Sequence, residues 1–355
     1  MSTIDQGARL RRLVITTAVC GLLLGALPAA TMEAPSAATV LDLPYGEATG
    51  QVGFLPAGAL DPSSHPLGPA HFQMTEDGSI WVLDTVNARI LEFRGGEQVS
   101  SISADVFQRF PDLFGVTRSA VFLAKQGRRD DMPAGFLWRY DRAEQTSRVI
   151  DLDLPDGRRF LPMRILPLGS SGSGLLICGS TYPNLKDAAI AIDEKGSISS
   201  VSEGDCGATP YMAAADGTVW RVILDGEQLE AATPVVAQRW SASERRWTSA
   251  FSALLPRRPE LSSQRQNARI VSLGVDARDR IAVALFEGKN PGSVRFLRLS
   301  TSGELLAAIT MEELGKQPSP VYDFFPSEAF QLLSDGSILT RYATADRYCI
   351  LQITF

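Results

Sequence analysis

Histidine and cysteine are scarce in this chain. Its 355 residues include two histidines, His65 and His71, and four cysteines. These histidines and the three cysteines beyond the N-terminal segment form no zinc site at a recognised ligand spacing. Serine hydrolase chemistry needs a base beside the nucleophile, and the sequence contains no Gly-x-Ser-x-Gly elbow. The scarcity argues against both enzyme classes, and the sequence identifies no catalytic residue, metal ligand or cofactor.

Features of nucleotide and nucleic-acid binding are also missing. The glycine-rich segment Gly169–Gly174 lacks the lysine and the following helix of a phosphate loop. The formal net charge is −6, and no basic stripe with interleaved aromatic residues offsets it. We therefore expect no nucleic-acid partner.

The N-terminus has the features of a secretory signal peptide. Three arginines within 9–12 precede the apolar run Leu13–Leu27, and small residues follow up to Ala30 and again up to Ala38. This order predicts export with removal of residues 1–30, or cleavage as late as residue 38. The alternative is a retained membrane anchor, since about 17 to 25 apolar residues span a bilayer. We place the protein outside the cytoplasm, periplasmic or secreted, with membrane contact only if this segment is retained.

The cysteines leave two alternatives open. Outside the cytoplasm a disulfide is permitted, and Cys178 with Cys206 is the pair with a suitable loop between them. Their distance in space does not follow from the sequence, so a buried free thiol is the other interpretation. Cys349 is the third cysteine of the exported chain.

The stretch Gly68–Phe93 carries the clearest structural pattern in the chain. An alternating segment leads to a turn at Asp77-Gly78, and the nearly continuous apolar run Ile80–Leu83 follows. A second turn at Asp84–Asn87 leads to another apolar strand, and Gly95-Gly96 turns the chain into a fourth. The stretch therefore predicts a four-stranded meander.

Similar signals recur up to the C-terminus. Apolar runs flank turns at Asp216-Gly217, Asp279-Arg280 and Asp335-Gly336, and the pattern as a whole gives six units at a spacing of about 40 to 50 residues. Blades stacked in a ring bury faces that a single blade cannot bury alone. We predict an all-β, six-bladed β-propeller of four-stranded antiparallel blades over residues 39–355.

Two segments outside this repeat carry predictions of their own. The last unit is one strand short, and Thr39–Leu43 reads as a spare strand. We predict that this N-terminal strand pairs with the C-terminal blade and closes the ring; the alternative is a disordered tail. A helical insertion is predicted at 240–255, because Ser241 and Glu244 form a capping box and apolar residues recur on one helical face.

Residues Gly68–Phe93 resemble an NHL repeat, the blade unit of NHL-type β-propellers. The matching positions are Gly68-Pro69, Asp77-Gly78, Ile80-Trp81-Val82, Asp84, Asn87, Arg89 and Ile90. The resemblance implies that Asp84 accepts backbone N–H groups in its turn and that Arg89 pairs with it across the hairpin. Asp84, Asn87 and Arg89 are therefore expected to be structural. The lyases built on NHL propellers rely on several metal-binding histidines, and two histidines argue against that activity.

Two functions from different classes fit this fold. The first is an exported, non-catalytic binding or scaffold module, expected to be monomeric, for a protein, peptide or glycan. The alternative is a calcium-dependent hydrolase resembling the gluconolactonase class, with Glu, Asn and Asp ligands from different blades around the channel. The asparagines Asn184, Asn267 and Asn290 all occur in turn-like contexts, and the motifs that mark the class are not identifiable.

Overall fold

The computed structural model describes twenty-four strands and no helix within the described residues. The described residues are 35–56, 58–60, 67–69, 71–104, 113–124, 135–152, 154, 157–168, 174–182, 186–193, 195–203, 211–213, 218–224, 232–241, 246–256, 269–286, 294–316, 330–344 and 346–355. The predicted signal segment, residues 1–30, lies outside them. Among the described residues no helix is long and apolar enough to cross a membrane.

The strands form six four-stranded antiparallel sheets, here called blades 1 to 6. Blade 1 contains β2 (His71–Met74), β3 (Ile80–Asp84), β4 (Arg89–Arg94) and β5 (Glu97–Ser103). Blade 2 contains β6 (Leu113–Val116), β7 (Ala120–Ala124), β8 (Phe136–Asp141) and β9 (Thr146–Asp151). Blade 3 contains β10 (Arg159–Leu168), β11 (Gly174–Tyr182), β12 (Lys186–Asp193) and β13 (Ile198–Glu203).

Blades 4 to 6 complete the set. Blade 4 contains β14 (Tyr211–Ala213), β15 (Val219–Leu224), β16 (Ala232–Ser241) and β17 (Arg246–Pro256). Blade 5 contains β18 (Arg269–Val275), β19 (Ile281–Phe286), β20 (Val294–Leu299) and β21 (Leu305–Thr310). Blade 6 contains β22 (Phe330–Leu332), β23 (Ile338–Ala343), β24 (Arg347–Thr354) and, as its fourth strand, β1 (Ser36–Pro44). The predicted six-bladed β-propeller is therefore confirmed.

The N-terminal strand closes the ring as the sequence predicts. Strand β1 pairs with β24 from Ser36 opposite Thr354 to Pro44 opposite Arg347, with an irregularity between Thr39 and Leu41. The strand is longer than the predicted Thr39–Leu43, and the alternative of a disordered tail is wrong. Blade 6 is thus built from both ends of the chain.

The core lies between successive blades. The first strands β2, β6, β10, β14, β18 and β22 are neighbours in that order around the ring. A buried cluster between blades 6 and 1 joins Tyr348 and Leu339 to Phe72 and Phe93, and other clusters join blades 1 and 2, 2 and 3, and 4 and 5. The second strands β7 and β19, and β3 up to Leu83, are apolar without interruption because both of their faces are covered by neighbouring blades.

The predicted helical insertion at 240–255 is wrong. Strands β16 and β17 pair from Ala232 opposite Pro256 to Ser241 opposite Arg246. Side chains of β17 alternate, so Leu255 is buried while Leu254 is 63% exposed. Leu254, which the helical stripe would bury, therefore faces outward, and ten residue pairs to β16 outweigh a local capping preference.

Candidate functional site

The three residues singled out by the sequence lie together at the turn between β3 and β4. The buried carboxylate of Asp84 accepts hydrogen bonds from Asn87 Nδ2 at 2.8 Å and from Arg89 Nε at 2.9 Å. It also accepts one from the backbone N–H of Gly53 at 2.9 Å, which lies on the segment between β1 and blade 1.

Asn87 and Arg89 bond to that same segment. Asn87 Nδ2 donates to the carbonyl of Gly46 at 3.0 Å, and Arg89 donates to the carbonyls of Glu47 and Gln51 at 2.8 and 3.0 Å. The three side chains therefore hold the segment that connects the closing strand β1 to blade 1. These contacts suit a structural role.

The predicted disulfide stays a prediction. Cys178 is buried in β11, and Cys206 lies outside the described residues. Cys349 is buried in β24 opposite Asp42 of β1, and its thiol donates to Asp42 Oδ1 at 3.3 Å. Burial, followed by the hydrogen bond and charge of Asp42, raises the pKa of Cys349 to about 11. This thiol is neutral at physiological pH.

A large cavity opens at one end of the ring. We call this end the turn face, because the turns between first and second strands of blades 1, 2, 5 and 6, and the turn between β8 and β9, adjoin the cavity. The cavity has a volume of about 1620 Å³ and is lined by β2, β6, β10, β18, β22 and adjoining turns of blades 1, 2, 5 and 6. Its aromatic lining residues are Phe72, Trp81, Phe114, Tyr140 and Phe330.

The carboxylates that line the cavity, Glu76, Asp77, Glu92 and Asp335, lie in turns and on β4, outside the first strands. The first strands read HFQM, LFGV, RFLPMRILPL, YMA, RIVSLGV and FQL, without Asp, Glu or Asn. Calcium prefers carboxylate and carbonyl oxygens, and the first strands supply no carboxylate or asparagine side chain for the calcium site of the alternative function. In the described part of the chain no group of three or more His, Cys, Asp or Glu side chains comes together.

Two glutamines on the wall connect neighbouring blades. Gln73 of β2 accepts from the N–H of Val116 and donates to its carbonyl, both at 2.7 Å. Gln331 of β22 makes the same pair of bonds with Met74, both at 2.7 Å. The wall amides are thus engaged in holding blade 6 to blade 1 and blade 1 to blade 2.

Glycines replace these glutamines in blades 2 and 5. A Cβ at Gly115 would lie 2.5 Å from Ile165 of the next blade, and one at Gly274 would lie 2.8 Å from Leu332. The wall therefore combines hydrogen-bonded and close-packed contacts between blades.

At the rim, one arginine joins blades 1 and 2. The guanidinium of Arg142 lies over the Trp81 ring, 4.7 Å from its centroid, and contacts Glu92 Oε1 at 3.3 Å. Glu92 also accepts from Arg94 at 2.8 Å and from Ser100 at 3.0 Å. These residues lie on different blades and form no motif in the sequence, so the sequence analysis did not predict their contacts. Of this group it named only Trp81, as part of the NHL-like stretch.

Comparison with known proteins identifies no family. No protein-family model matches the sequence, and no curated protein matches it. Similar solved structures include a putative gluconolactonase, at 12% identity over 90% of this chain and 93% of that chain, with a TM-score of 0.47. An α-L-arabinanase from Penicillium chrysogenum complexed with arabinobiose has 10% identity over 80% and 91% of the chains and the same TM-score of 0.47. Virginiamycin B lyase from Staphylococcus aureus, an inactive variant with quinupristin, has 15% identity over 91% and 99%, with a TM-score of 0.45. At these values no activity can be transferred to this chain.

Proposed function

We propose that this chain is an exported, non-catalytic β-propeller that binds a protein, peptide or glycan segment in the cavity of its turn face. The observation that carries the proposal is the cavity of about 1620 Å³ itself. Pockets for small ligands are usually about 300–1,000 Å³, so this one has room for a segment of a polymer. Its wall is held by the glutamine bridges, and its lining includes the partly exposed Tyr140 and Phe330 together with arginines.

The proposal includes export and an NHL-type origin for blade 1. Cleavage after Ala30 is favoured over cleavage near residue 38, because Ser36, Ala37 and Ala38 pair with β24 and their loss would shorten the closing ladder. N-terminal sequencing of the exported protein tests this point. The expected first residue lies upstream of Ser36, and an intact Met1 would instead indicate a retained anchor. We propose a monomer without a nucleic-acid partner.

The binding proposal is tested with a cavity variant and a surface variant. Leu273→Trp adds bulk at the cavity wall, and Leu254→Trp adds the same side chain on the exposed outer strand β17. Peptide and glycan arrays are probed with the wild type and both variants, each with its folding checked by circular dichroism. We expect the arrays to contain ligands that bind the wild type and Leu254→Trp but do not bind Leu273→Trp. Ligands that bind Leu273→Trp as well as the wild type would contradict the proposal.

The calcium-dependent hydrolase is the alternative outcome. Such an enzyme would need ligands beyond the first strands, because these strands supply no Asp, Glu or Asn and no three acidic, His or Cys side chains come together among the described residues. Lactone hydrolysis that chelation abolishes and calcium restores would replace the binding proposal with this alternative. We expect neither hydrolysis nor a change of melting temperature on chelation.

A further inference from the structure

We propose that the cavity binds a peptide with its carboxylate at Arg118 and Gln145, two residues of blade 2, and with apolar side chains against the cavity wall. This inference rests on the proposed binding function and names its ligand class. Arg118 lies in the turn between β6 and β7, and Gln145 lies in the turn between β8 and β9; both line the cavity.

Gln145 has a backbone conformation that favours glycine. Its φ is +54°, in the left-handed region. The corresponding turns of blades 3 and 5 place Gly196 (φ +86°) and Gly303 (φ +90°) in that region, and blade 1 has Gly95 and Gly96 (φ +56° and +86°). A side chain there costs stability that glycine would not. A strained residue whose side chain reaches into a cavity points to a function for that side chain.

The side chains of the two proposed binding residues, Arg118 and Gln145, are available to a bound peptide. Within the described part of the chain, neither the Gln145 amide nor the Arg118 guanidinium has a hydrogen-bond partner, and both residues are exposed. Three of the four acids that line the cavity are engaged: Glu92 holds Arg94 and Arg142, Asp77 accepts from the Thr75 hydroxyl at 2.6 Å, and Asp335 accepts from the Ser337 hydroxyl at 2.6 Å. The cation at Arg118 is therefore not consumed by an ion pair within the site.

Arg142 fixes the two turns relative to each other. Its backbone N–H donates to the carbonyl of Ser119 at 2.9 Å, and its guanidinium donates to the carbonyl of Arg118 at 3.0 Å. The same guanidinium is held between Trp81 and Glu92. The turn that carries Arg118 and the turn that carries Gln145 are thus preorganised, which lowers the entropic cost of binding.

The chemistry of the site selects a carboxylate on an apolar body. A guanidinium and a primary amide both donate N–H groups to a carboxylate, and bonds to a charged acceptor are the stronger kind. The apolar side chains of the wall beyond them include the partly exposed Leu273, Val275 and Leu332. Apolar peptide side chains suit this wall better than the hydroxyl-rich surface of a glycan, whose polar groups would be buried without partners.

The test compares two forms of one peptide. The probe is an acetylated apolar pentapeptide, made with a free C-terminal carboxylate and as the C-terminal amide, and its binding to the purified protein is measured by calorimetry. We expect the carboxylate form to bind about tenfold more tightly, as one charged hydrogen-bonded contact provides. Arg118→Gln and Gln145→Gly should each remove this preference.

A matched variant controls for backbone strain. Asp279, in the turn between β18 and β19, also has a left-handed φ of +56° and does not line the cavity. Gln145→Gly and Asp279→Gly should both raise the melting temperature, and only Gln145→Gly should abolish the carboxylate preference. Loss of binding with a gain in stability cannot be explained by misfolding.

Four outcomes would overturn the inference. Equal affinity for both peptide forms, or a preference that survives in Gln145→Gly, would remove the carboxylate site. Failure of both forms to bind would remove the peptide, while array ligands sensitive to Leu273→Trp would still uphold the wider binding function. Laurate, a fatty acid, serves as a further probe. If laurate binds with the same dependence on Arg118 and Gln145 while neither peptide form binds, the site is assigned to a fatty acid.

Discussion

Asp84 is a single buried carboxylate that connects the β3–β4 turn to the segment between β1 and blade 1. It is fully buried, pairs with Arg89 at 2.9 Å and holds the backbone of Gly53. Replacement by asparagine would leave the Arg89 charge without its partner in a largely buried position. We expect Asp84→Asn to lower the free energy of unfolding by about 3 kcal/mol or more, measured by urea denaturation.

The control for this prediction is a surface ion pair in the β1–β24 ladder. Asp42 and Arg347 are 45% and 42% exposed and contact at 2.5 Å. Solvent screens such a pair, so Asp42→Asn should change stability little. If the two variants lost equal stability, burial would not be what makes the Asp84 contact strong.

Asp276 gives the protein a defined response to acid. Burial works to raise the pKa of Asp276, but hydrogen bonds from Arg280 and neighbouring N–H groups, with the Arg280 charge, outweigh it and hold the pKa below its usual value. A carboxyl with a depressed folded pKa stabilises the fold above its unfolded pKa of about 3.9, and this stabilisation is lost as pH falls through the folded value.

The pH dependence of one variant follows from this shift. The difference in unfolding free energy between wild type and Asp276→Asn should be constant from neutral pH down to about pH 5 and should shrink below about pH 4. Denaturation curves across this range measure it. A difference as large at pH 3 as at pH 7 would show that the Asp276 charge is not the stabilising group.

Residue-level prediction from the sequence succeeded where a residue type dictates a conformation. Gly78 and Gly336 have φ of +78° and +88° in the turns that their Asp-Gly pairs indicate. Gln145 gave no such signal, because a glutamine in a left-handed turn looks like any polar loop residue. Its contribution to the cavity depends on bonds from Arg142 to a different turn, which no local pattern encodes.

At the scale of elements, the glutamine bridges between blades are testable parts of the ring. Gln331 satisfies both the N–H and the carbonyl of Met74. Gln331→Leu removes both bonds and leaves these backbone groups without partners. We expect a loss of about 1–3 kcal/mol in the free energy of unfolding.

Gln98 supplies the comparison for this variant. It lies on the outer strand β5 and accepts one hydrogen bond, from the N–H of Gly50 at 2.8 Å. Gln98→Leu should cost less than Gln331→Leu, because water can reach this edge of the blade. An equal or larger loss for Gln98→Leu would argue against a special role for the wall bridges.

The β16–β17 hairpin shows why one element was mispredicted. Trp247, Phe251 and Leu254 have helical spacing, whereas Phe251, Ala253 and Leu255 have strand spacing, and the sequence contains both patterns at once. Pairing with β16 decides between them, since it satisfies the backbone of β17 along ten residue pairs. Pairing of this kind with another strand cannot be predicted from the local sequence pattern alone.

At the scale of the whole molecule, the sequence repeat predicted the six-bladed architecture but did not predict the cavity. Six units of strand and turn were enough to give the blade number and the role of the first strand, because a ring must bury its edges. The cavity depends on side chains from at least five blades. Their convergence is a property of ring closure and not of any repeat.

The most direct test concerns that closure. Two chains, residues 31–355 and 45–355, differ in whether they contain β1, and circular dichroism follows the thermal unfolding of each. We predict one cooperative transition for residues 31–355 and its loss, or a much lower melting temperature, for residues 45–355, because β24 would lose its partner strand. An unchanged cooperative transition in the chain without β1 would contradict the account of the ring and of the cavity it encloses.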